Sequence, residues 1–301
     1  MSQDLHGKSQ LAQKAAAAMQ NPLGKPTQYA EAYSPSLLYT IKRAEKRDEL
    51  GGVEHFYGED IWNAYELSWL GKTGVPKIAI AEIRVPASSP SIVESKSLKL
   101  YLNSFNQTRF DSLESVLQTI KKDLSGAVGA SIQVHLYCPE SFDYFATKTM
   151  SGENIDEQSI EIEDFNYNPK LLERAVTRRE KADSKQESSQ YDEVPVSETL
   201  VSHLLKSNCL ITSQPDWASI QISYKGEQID HEKLLRYLVS FRSHNEFHEQ
   251  CVERIYSDLM QYCQPLELTV YARYTRRGGI DINPWRSNVA ERMENIRLTR
   301  Q

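Results

Sequence analysis

The chain lacks most of the marks that would assign it at a glance. No apolar run in its 301 residues approaches the roughly 20 that a membrane-crossing helix needs, so no membrane partner is expected. There is no surplus of positive charge. Lys and Arg number 35 against 41 Asp and Glu, a formal net charge of −6, which argues against a broad nucleic-acid-binding surface. The four cysteines, Cys138, Cys209, Cys251 and Cys263, include no CxxC pair, so a tetrahedral zinc site is not expected. No Gly-x-Gly-x-x-Gly follows a strand pattern, which counts against a Rossmann dinucleotide domain. Residues 1–20 carry an alanine run but neither the basic start nor the apolar core of a secretory signal. A reducing, cytoplasmic setting is the simplest expectation.

What is present is an ordinary globular composition, 40% hydrophobic and 25% charged, with length enough for two domains. The most informative stretch is 94–105, where a carboxylate and two lysines (Glu94, Lys96, Lys99) precede an apolar-aromatic run. Leu98, Tyr101, Leu102, Ser104 and Phe105 recur 136 positions later as Leu234, Tyr237, Leu238, Ser240 and Phe241. The chain therefore reads as internally duplicated. The charged head Glu-Ser-Lys is lost from the second copy, which has instead a cysteine upstream and a His-Glu pair downstream. That division predicts one site assembled from both halves.

Periodicity supplies the elements. Residues 77–85 and 131–137 alternate as strands, 97–105 carries apolar residues at helical spacing, and Asp111 is the expected N-cap of a helix running through Leu124. The later half repeats this order: a strand at 217–224, a helix capped by Asp230, a helix over 246–262 and a strand over 266–274. Residues 1–35 read as an arm and 178–194 as a polar linker. Two helices laid on one face of an antiparallel sheet make an α+β domain, expected twice, over 36–177 and 195–301.

On Glu94-Ser95-Lys96-Ser97-Leu98-Lys99-Leu100-Tyr101 the chain resembles the 7-cyano-7-deazaguanine reductases of queuosine biosynthesis, which are NADPH-dependent nitrile reductases. The likeness continues through Leu204-Leu205-Lys206-Ser207-Asn208-Cys209-Leu210-Ile211-Thr212, Pro215-Asp216-Trp217, Phe247-His248-Glu249 and Tyr274-Thr275-Arg276-Arg277-Gly278-Gly279, spanning about residues 60 to 301. It is closest to the long branch, in which the Glu-Ser-Lys motif and the cysteine lie in different halves. The resemblance implies tandem tunnelling-fold modules, with 178–194 as an insertion. It also implies NADPH as co-substrate with no metal, a small 7-deazaguanine substrate, no directly bound nucleic acid, and a homodimer or larger ring.

Chemistry assigns roles to those residues. A nitrile accepts hydride poorly, but a thiolate can add to it and form a thioimidate whose carbon accepts hydride more readily. The resemblance makes Cys209 that nucleophile, although a lone cysteine is otherwise a small buried apolar residue. Asp216, expected at a turn after Pro215, becomes the general acid, a role that calls for a carboxyl pKa raised by partial burial beside Trp217. His248 assists proton transfer or orients the substrate. Val93, Glu94, Ser95, Phe247, His248 and Glu249 are the expected substrate contacts, with carboxylates suited to a guanine-like edge. Ser95, Lys96, Arg277 and Gly278 are the expected cofactor contacts, joining cations to close backbone approach.

Each of these residues also has a plain structural reading as cap, turn, core residue or solvated helix start. Two other functions compete: a zinc-dependent pterin enzyme resembling the GTP cyclohydrolases, and a non-catalytic purine-binding module. The helix over 246–262 further suggests that Cys251, beneath His248, could form a reversible disulfide with Cys209.

Overall fold

The alternation at 77–85 and 217–224 marks the middle of two long strands in the computed structural model, which describes residues 32–50, 56–176 and 195–301. The expected linker, and the expected arm except for 32–35, fall outside the described residues. In chain order the elements are β1 (Thr40–Lys42), β2 (Tyr57–Leu70), β3 (Pro76–Pro86), β4 (Ser91–Val93), α1 (Ser95–Asn103), α2 (Leu113–Val128), β5 (Gln133–Tyr137) and β6 (Glu153–Asn154). The second half adds β7 (Val196–Ser202), β8 (Lys206–Asn208), β9 (Pro215–Gly226), α3 (His231–Ser240), α4 (His248–Tyr262), β10 (Glu267–Tyr274) and β11 (Ile280–Ser287).

One sheet runs in the order β5-β3-β2-β11-β10-β9-β7-β6, with β8 also paired to β9 and the short β1–β4 pair standing apart. Every pairing is antiparallel except β6 with β7. The mixed α+β class expected from the sequence is therefore present. Side chains alternate across the sheet. Trp62 and Ala64 join the core under α1 and α2, whereas Ile61 faces away and packs with Tyr271, Trp285 and Leu298. A second helix-side core gathers Leu234, Leu238, Phe241, Val252 and Ile255 with Val270 and Ala272. The segment containing Met293, Ile296 and Leu298 covers the face away from the helices.

The duplicated frame is scaffold. Tyr101 and Tyr237 are fully buried and donate their hydroxyls to Asp123 (2.7 Å) and Asp258 (2.5 Å). The same carboxylates accept from Tyr33 (2.5 Å) and Tyr167 (2.8 Å). Ser104 and Ser240 accept from the backbone N–H groups of Ser34 and Asn168 and donate to the carbonyls of Tyr101 and Tyr237. The repeat thus reaches back to the similar stretches Tyr33-Ser34-Pro35 and Tyr167-Asn168-Pro169, each opening a short 3-10 turn. Even the strand contact recurs, as Thr40 opposite Val93 and Val176 opposite Ile229.

Several boundaries differ from the sequence reading, among them those of α1, which spans Ser95–Asn103 instead of 97–105, and of β5, which begins at Gln133 instead of 131. Ser112, not Asp111, caps α2, sharing a reciprocal capping box with Ser115, and the helix runs past Leu124 to Gly129 in a left-handed conformation (φ 73°). Phe247 is the N-cap of α4, which starts at His248. Asp216 lies within β9 instead of at a turn, because β8 extends the pairing back to Asn208 opposite Pro215. The periodicity reading also passed over β11, whose eight residues are all buried yet include Asp281, Asn283 and Arg286. Its residue types alternate over Ile280-Asp281-Ile282-Asn283 but its burial does not, because the polar side chains are matched by partners instead of solvent.

The chief partners form an ion network. Arg286 donates to Asp60 Oδ1 (2.8 Å) and to Glu253 Oε1 (2.7 Å and 3.0 Å). Arg43 pairs with Asp60 (2.5 Å) and lies 3.6 Å from Glu253, and Arg47 adds a bidentate contact to Glu253. Burial pushes the Glu253 carboxyl up, but the three guanidiniums outweigh it and hold it down to about 2. Removing one member of such a network leaves charge buried and unpaired. Glu253→Ala is therefore expected to lower the unfolding free energy by about 3–5 kcal/mol, read from urea denaturation. A loss below about 1 kcal/mol, the size of a surface pair, would show that solvent reaches the cluster.

Candidate active site

The first wall of the site is the start of α1. Glu94 has extended backbone (ψ 132°) and caps the helix, its carboxylate accepting from the N–H groups of Lys96 (2.9 Å) and Ser97 (2.8 Å). Its own N–H donates to the Tyr39 carbonyl, which ties it to the strand of Thr40. Capping engages the carboxylate without exhausting it, since two ionised oxygens offer about four acceptor positions. Glu94 is thus both a cap and a wall of the cavity. Its counterpart Asp230 has the same capping duty, accepting from Lys233, but borders no such cavity.

The second wall is the β8–β9 hairpin. Cys209 N–H donates to the Gln214 carbonyl (2.8 Å) and Ser213 N–H returns to the Cys209 carbonyl (3.0 Å). Ser213 turns the chain with a positive φ of 55°. The hairpin sets Asp216 opposite Ser207, two residues before Cys209. Alternation then separates Asp216 from its neighbour: Asp216 is buried, while Trp217 is exposed on the other side beneath the Arg242 guanidinium (5.3 Å). The indole therefore does not supply the environment of the acid, contrary to the sequence expectation. Asp216 Oδ1 faces the Arg277 guanidinium at 2.9 Å and His248 Nε2 at 3.5 Å.

The third wall is the start of α4. Asn208 N–H donates to the His244 carbonyl (2.8 Å) and Glu246 N–H to the Asn208 carbonyl (3.0 Å), stitching the cysteine hairpin to the approach of this helix. His248 packs edge-on against the Tyr274 ring, centroids 4.2 Å apart. Glu249 is 2% exposed. Burial, followed by the nearby Asp60 carboxylate, pushes its carboxyl up to about 7, against the opposing pull of His248 and Arg43. Glu246 is equally buried but is held ionised by Arg254 (2.7 Å and 2.9 Å) and His244 (3.0 Å).

These walls enclose one cavity of about 320 Å³, the lower end of the usual range for small-ligand sites. All eleven residues singled out from the sequence line it: Val93, Glu94, Ser95, Lys96, Cys209, Asp216, Phe247, His248, Glu249, Arg277 and Gly278. Lys96, Lys99 and Arg277 put three cations on the lining, and Gly278 (φ 62°) has open space where a side chain would stand. The site reading missed Trp62, Gln214, Glu246, Thr275, Ile280 and Ile282. Glu246 was legible beside Phe247-His248-Glu249. Trp62 and Ile282 reach the site only through the pairing of β2 with β11, where they stand opposite each other.

Among the described residues no group of three or more His, Cys, Asp and Glu is arranged to hold a metal ion. Cys209 and Cys251 are both free thiols. Cys251 is fully buried next to Tyr274 and Ser207, and burial pushes its thiol up to about 12. Disulfide formation proceeds through a thiolate, so this position disfavours a resolving thiol. No helix among the described residues is long and apolar enough to cross a membrane.

Comparison with known proteins follows the same halves. The family model described as "Nitrile reductase, 7-cyano-7-deazaguanine-reductase N-term" matches residues 29–136, and that described as "QueF-like protein" matches 215–293. Curated relatives named NADPH-dependent 7-cyano-7-deazaguanine reductase include one from Paraburkholderia phymatum, 51% identical over 285 residues, covering 94% of this chain and 98% of the relative. One from Polaromonas is 52% identical over 282 residues, covering 93% and 97%. One from Burkholderia ambifaria is 51% identical over 284 residues, covering 93% and 98%.

The raised Glu249 carboxyl has a measurable consequence. Below the ordinary value of 4.5 both folded and unfolded chains carry the proton, and ionisation costs nothing. As pH rises from 4.5 to about 7 only the unfolded chain ionises freely, so the ligand-free protein loses stability, about 3 kcal/mol in all. Glu249→Gln removes that loss. Its thermal midpoint is expected to exceed the wild type's at pH 8 and to converge with it near pH 4. A constant offset across that range would show that Glu249 titrates normally.

Proposed function

The chain belongs to the 7-cyano-7-deazaguanine reductase family, and from that premise we propose that it reduces the nitrile of 7-cyano-7-deazaguanine to the aminomethyl group, with NADPH, in queuosine biosynthesis. The overall change takes up two hydrides and two protons per nitrile. The observation that carries the reading is the meeting in one cavity of a thiol, a carboxyl beside a histidine, three further buried carboxyl groups and a cationic wall. The α+β halves are read as tandem tunnelling-fold modules sharing this composite site. Residues 36–177 would carry the Glu-Ser-Lys motif and 195–301 the cysteine.

The cycle follows from the positions of the groups. Cys209 Sγ adds to the nitrile carbon, one C–N π bond opens, and the thiol proton reaches the nitrogen by way of Asp216, giving a thioimidate. Bound NADPH supplies the hydride in each of two rounds. After the first, the S–C bond breaks, an imine remains and Cys209 leaves as the thiolate, which takes up one of the two protons to restore the thiol. The second completes the amine, with its proton delivered by Asp216 and recharged through His248 at 3.5 Å. Glu94 and Glu249 accept from the N–H edge of the base, and Val93 and Phe247 border its ring. Ser95, Lys96, Lys99, Arg277 and Gly278 suit phosphates, with cations for the charge and a bare glycine backbone for close approach.

The same reading places the enzyme in the cytoplasm as a homodimer that binds no nucleic acid. Among the described residues β5 pairs only with β3, so one of its edges is left for another copy to cover. The zinc-dependent alternative finds no support in the cavity, where Cys209 has no neighbouring cysteine or histidine set at ligand spacing.

Loss of NADPH absorbance on adding the nitrile tests the activity directly. Cys209→Ala is expected to abolish it while retaining nitrile binding. Wild type should form a protein–nitrile adduct by mass spectrometry without NADPH. Asp216→Asn should turn over at least about 10²-fold more slowly, because an amide supplies no proton. An active enzyme that forms no adduct would point to direct hydride attack. In solution the expected mass is a multiple of the 34.5 kDa chain, and a strict monomer would contradict the assembly.

A further inference from the structure

Between β10 and β11 the sheet comes apart, and what fills the opening bears on the site. Pro284 has no N–H to give to the ladder. Accordingly β10 and β11 pair only at Thr269 with Ser287, Val270 with Arg286 and Tyr271 with Trp285. Beyond that point β11 continues along β2, while β10 continues along β9 as far as Tyr274. Two side chains close the gap. Asn283 Oδ1 accepts from the Tyr274 N–H (3.2 Å), and Gln301 Nε2 donates to the Tyr274 carbonyl (2.9 Å) and to Asn283 Oδ1 (2.8 Å). Gln301 Oε1 accepts from Arg273 Nε (3.1 Å) and from the Leu298 N–H (3.0 Å), so all of its amide capacity is engaged. Its main-chain oxygen accepts from Arg276 (3.1 Å) and Arg297 (3.4 Å), and the residue is 5% exposed.

The clamped residue sits at the root of the site. The Tyr274 ring is the surface on which His248 rests. Thr275 and Arg277, directly after it, line the cavity, and Arg277 reaches Asp216. Arg276, held by Gln301, stacks over the Tyr65 ring at 4.3 Å. We propose that Gln301 is a positioning residue for the reaction, holding the turn 275–279 from the face of the sheet away from the helices so that Arg277 is presented to the cofactor phosphates. This rests on the reading of Arg277 as part of the phosphate wall. Gln301 does not touch substrate or cofactor; it acts by replacing the ladder hydrogen bonds that Pro284 removes.

The test is a double-mutant cycle on cofactor binding, measured with NADP+ by quenching of tryptophan fluorescence, since Trp62 lines the cavity. Gln301→Ala is expected to weaken NADP+ binding about fivefold to tenfold, the scale of a buried polar group left without partners. In an Arg277→Ala background the same change should have less than about a twofold further effect, because the residue through which it acts is gone. Gln301→Glu keeps the acceptor for Arg273 but loses the donor to Tyr274, and should behave like the alanine variant. Equal weakening with and without Arg277, unchanged affinity in Gln301→Ala, or unfolding of both variants would each overturn the proposal, the last by making Gln301 a residue of general stability. NADPH oxidation by the wild type is read separately. A wild type that binds no NADP+ and reduces no nitrile refutes the functional reading itself.

Discussion

The site depends on a buried ion network whose members do not line the cavity. Glu253, one turn after Glu249 on α4, is gripped by Arg286 from β11 and by Arg43 and Arg47 from the N-terminal half. Asp60 on β2 bridges Arg43 and Arg286. Taken out of water, these charges tolerate little movement, because any shift leaves one of them unpaired. The network therefore locks α4 over the seam between the halves. It holds Glu249 within the field of Asp60, which is a large part of why that carboxyl titrates near neutrality. A carboxyl poised there is ionised when a partner donates to it and gives up little when the site is empty.

Around that lock the two halves divide the work. Both keep the same internal frame: a buried tyrosine hydroxyl on an aspartate, a serine catching the incoming backbone, and an acidic N-cap on the first helix. In one half the cap is Glu94, long enough to cap and still border the cavity. In the other it is Asp230, whose carboxylate only caps. The first-half counterpart of the α4 start is occupied by Ser112 as an ordinary capping box, whereas Phe247 contributes no capping side chain and leaves that helix open toward the ligand space. The two halves thus differ at both helix starts, and both contribute to the lining of one cavity.

Much of this was legible in the residues themselves. The 136-residue offset announced the duplication because buried frames tolerate few replacements, and its absence at Glu94-Ser95-Lys96 marked where the halves had diverged. Helical spacing located α1 to α4 because their apolar stripes face one core each. The same logic failed for β11, where the polar residues Asp281, Asn283 and Arg286 are matched inside the protein and a proline stands between two strands. It failed for Asp216 too, whose strand begins earlier than its apolar alternation because β8 pairs back along it.

The sequence by itself determined the class of fold and the repeat, since periodicity and capping are properties of short stretches, while the residues that meet at the site were picked out by the motifs shared with the 7-cyano-7-deazaguanine reductases. Only the tertiary structure decided what each group faces: Asp216 toward Arg277 and His248 instead of Trp217, Cys251 sealed beside Tyr274, Glu249 beside Asp60. Such pairings join residues up to two hundred positions apart. Their energies come from burial and from distances of a few ångströms, which no local pattern encodes.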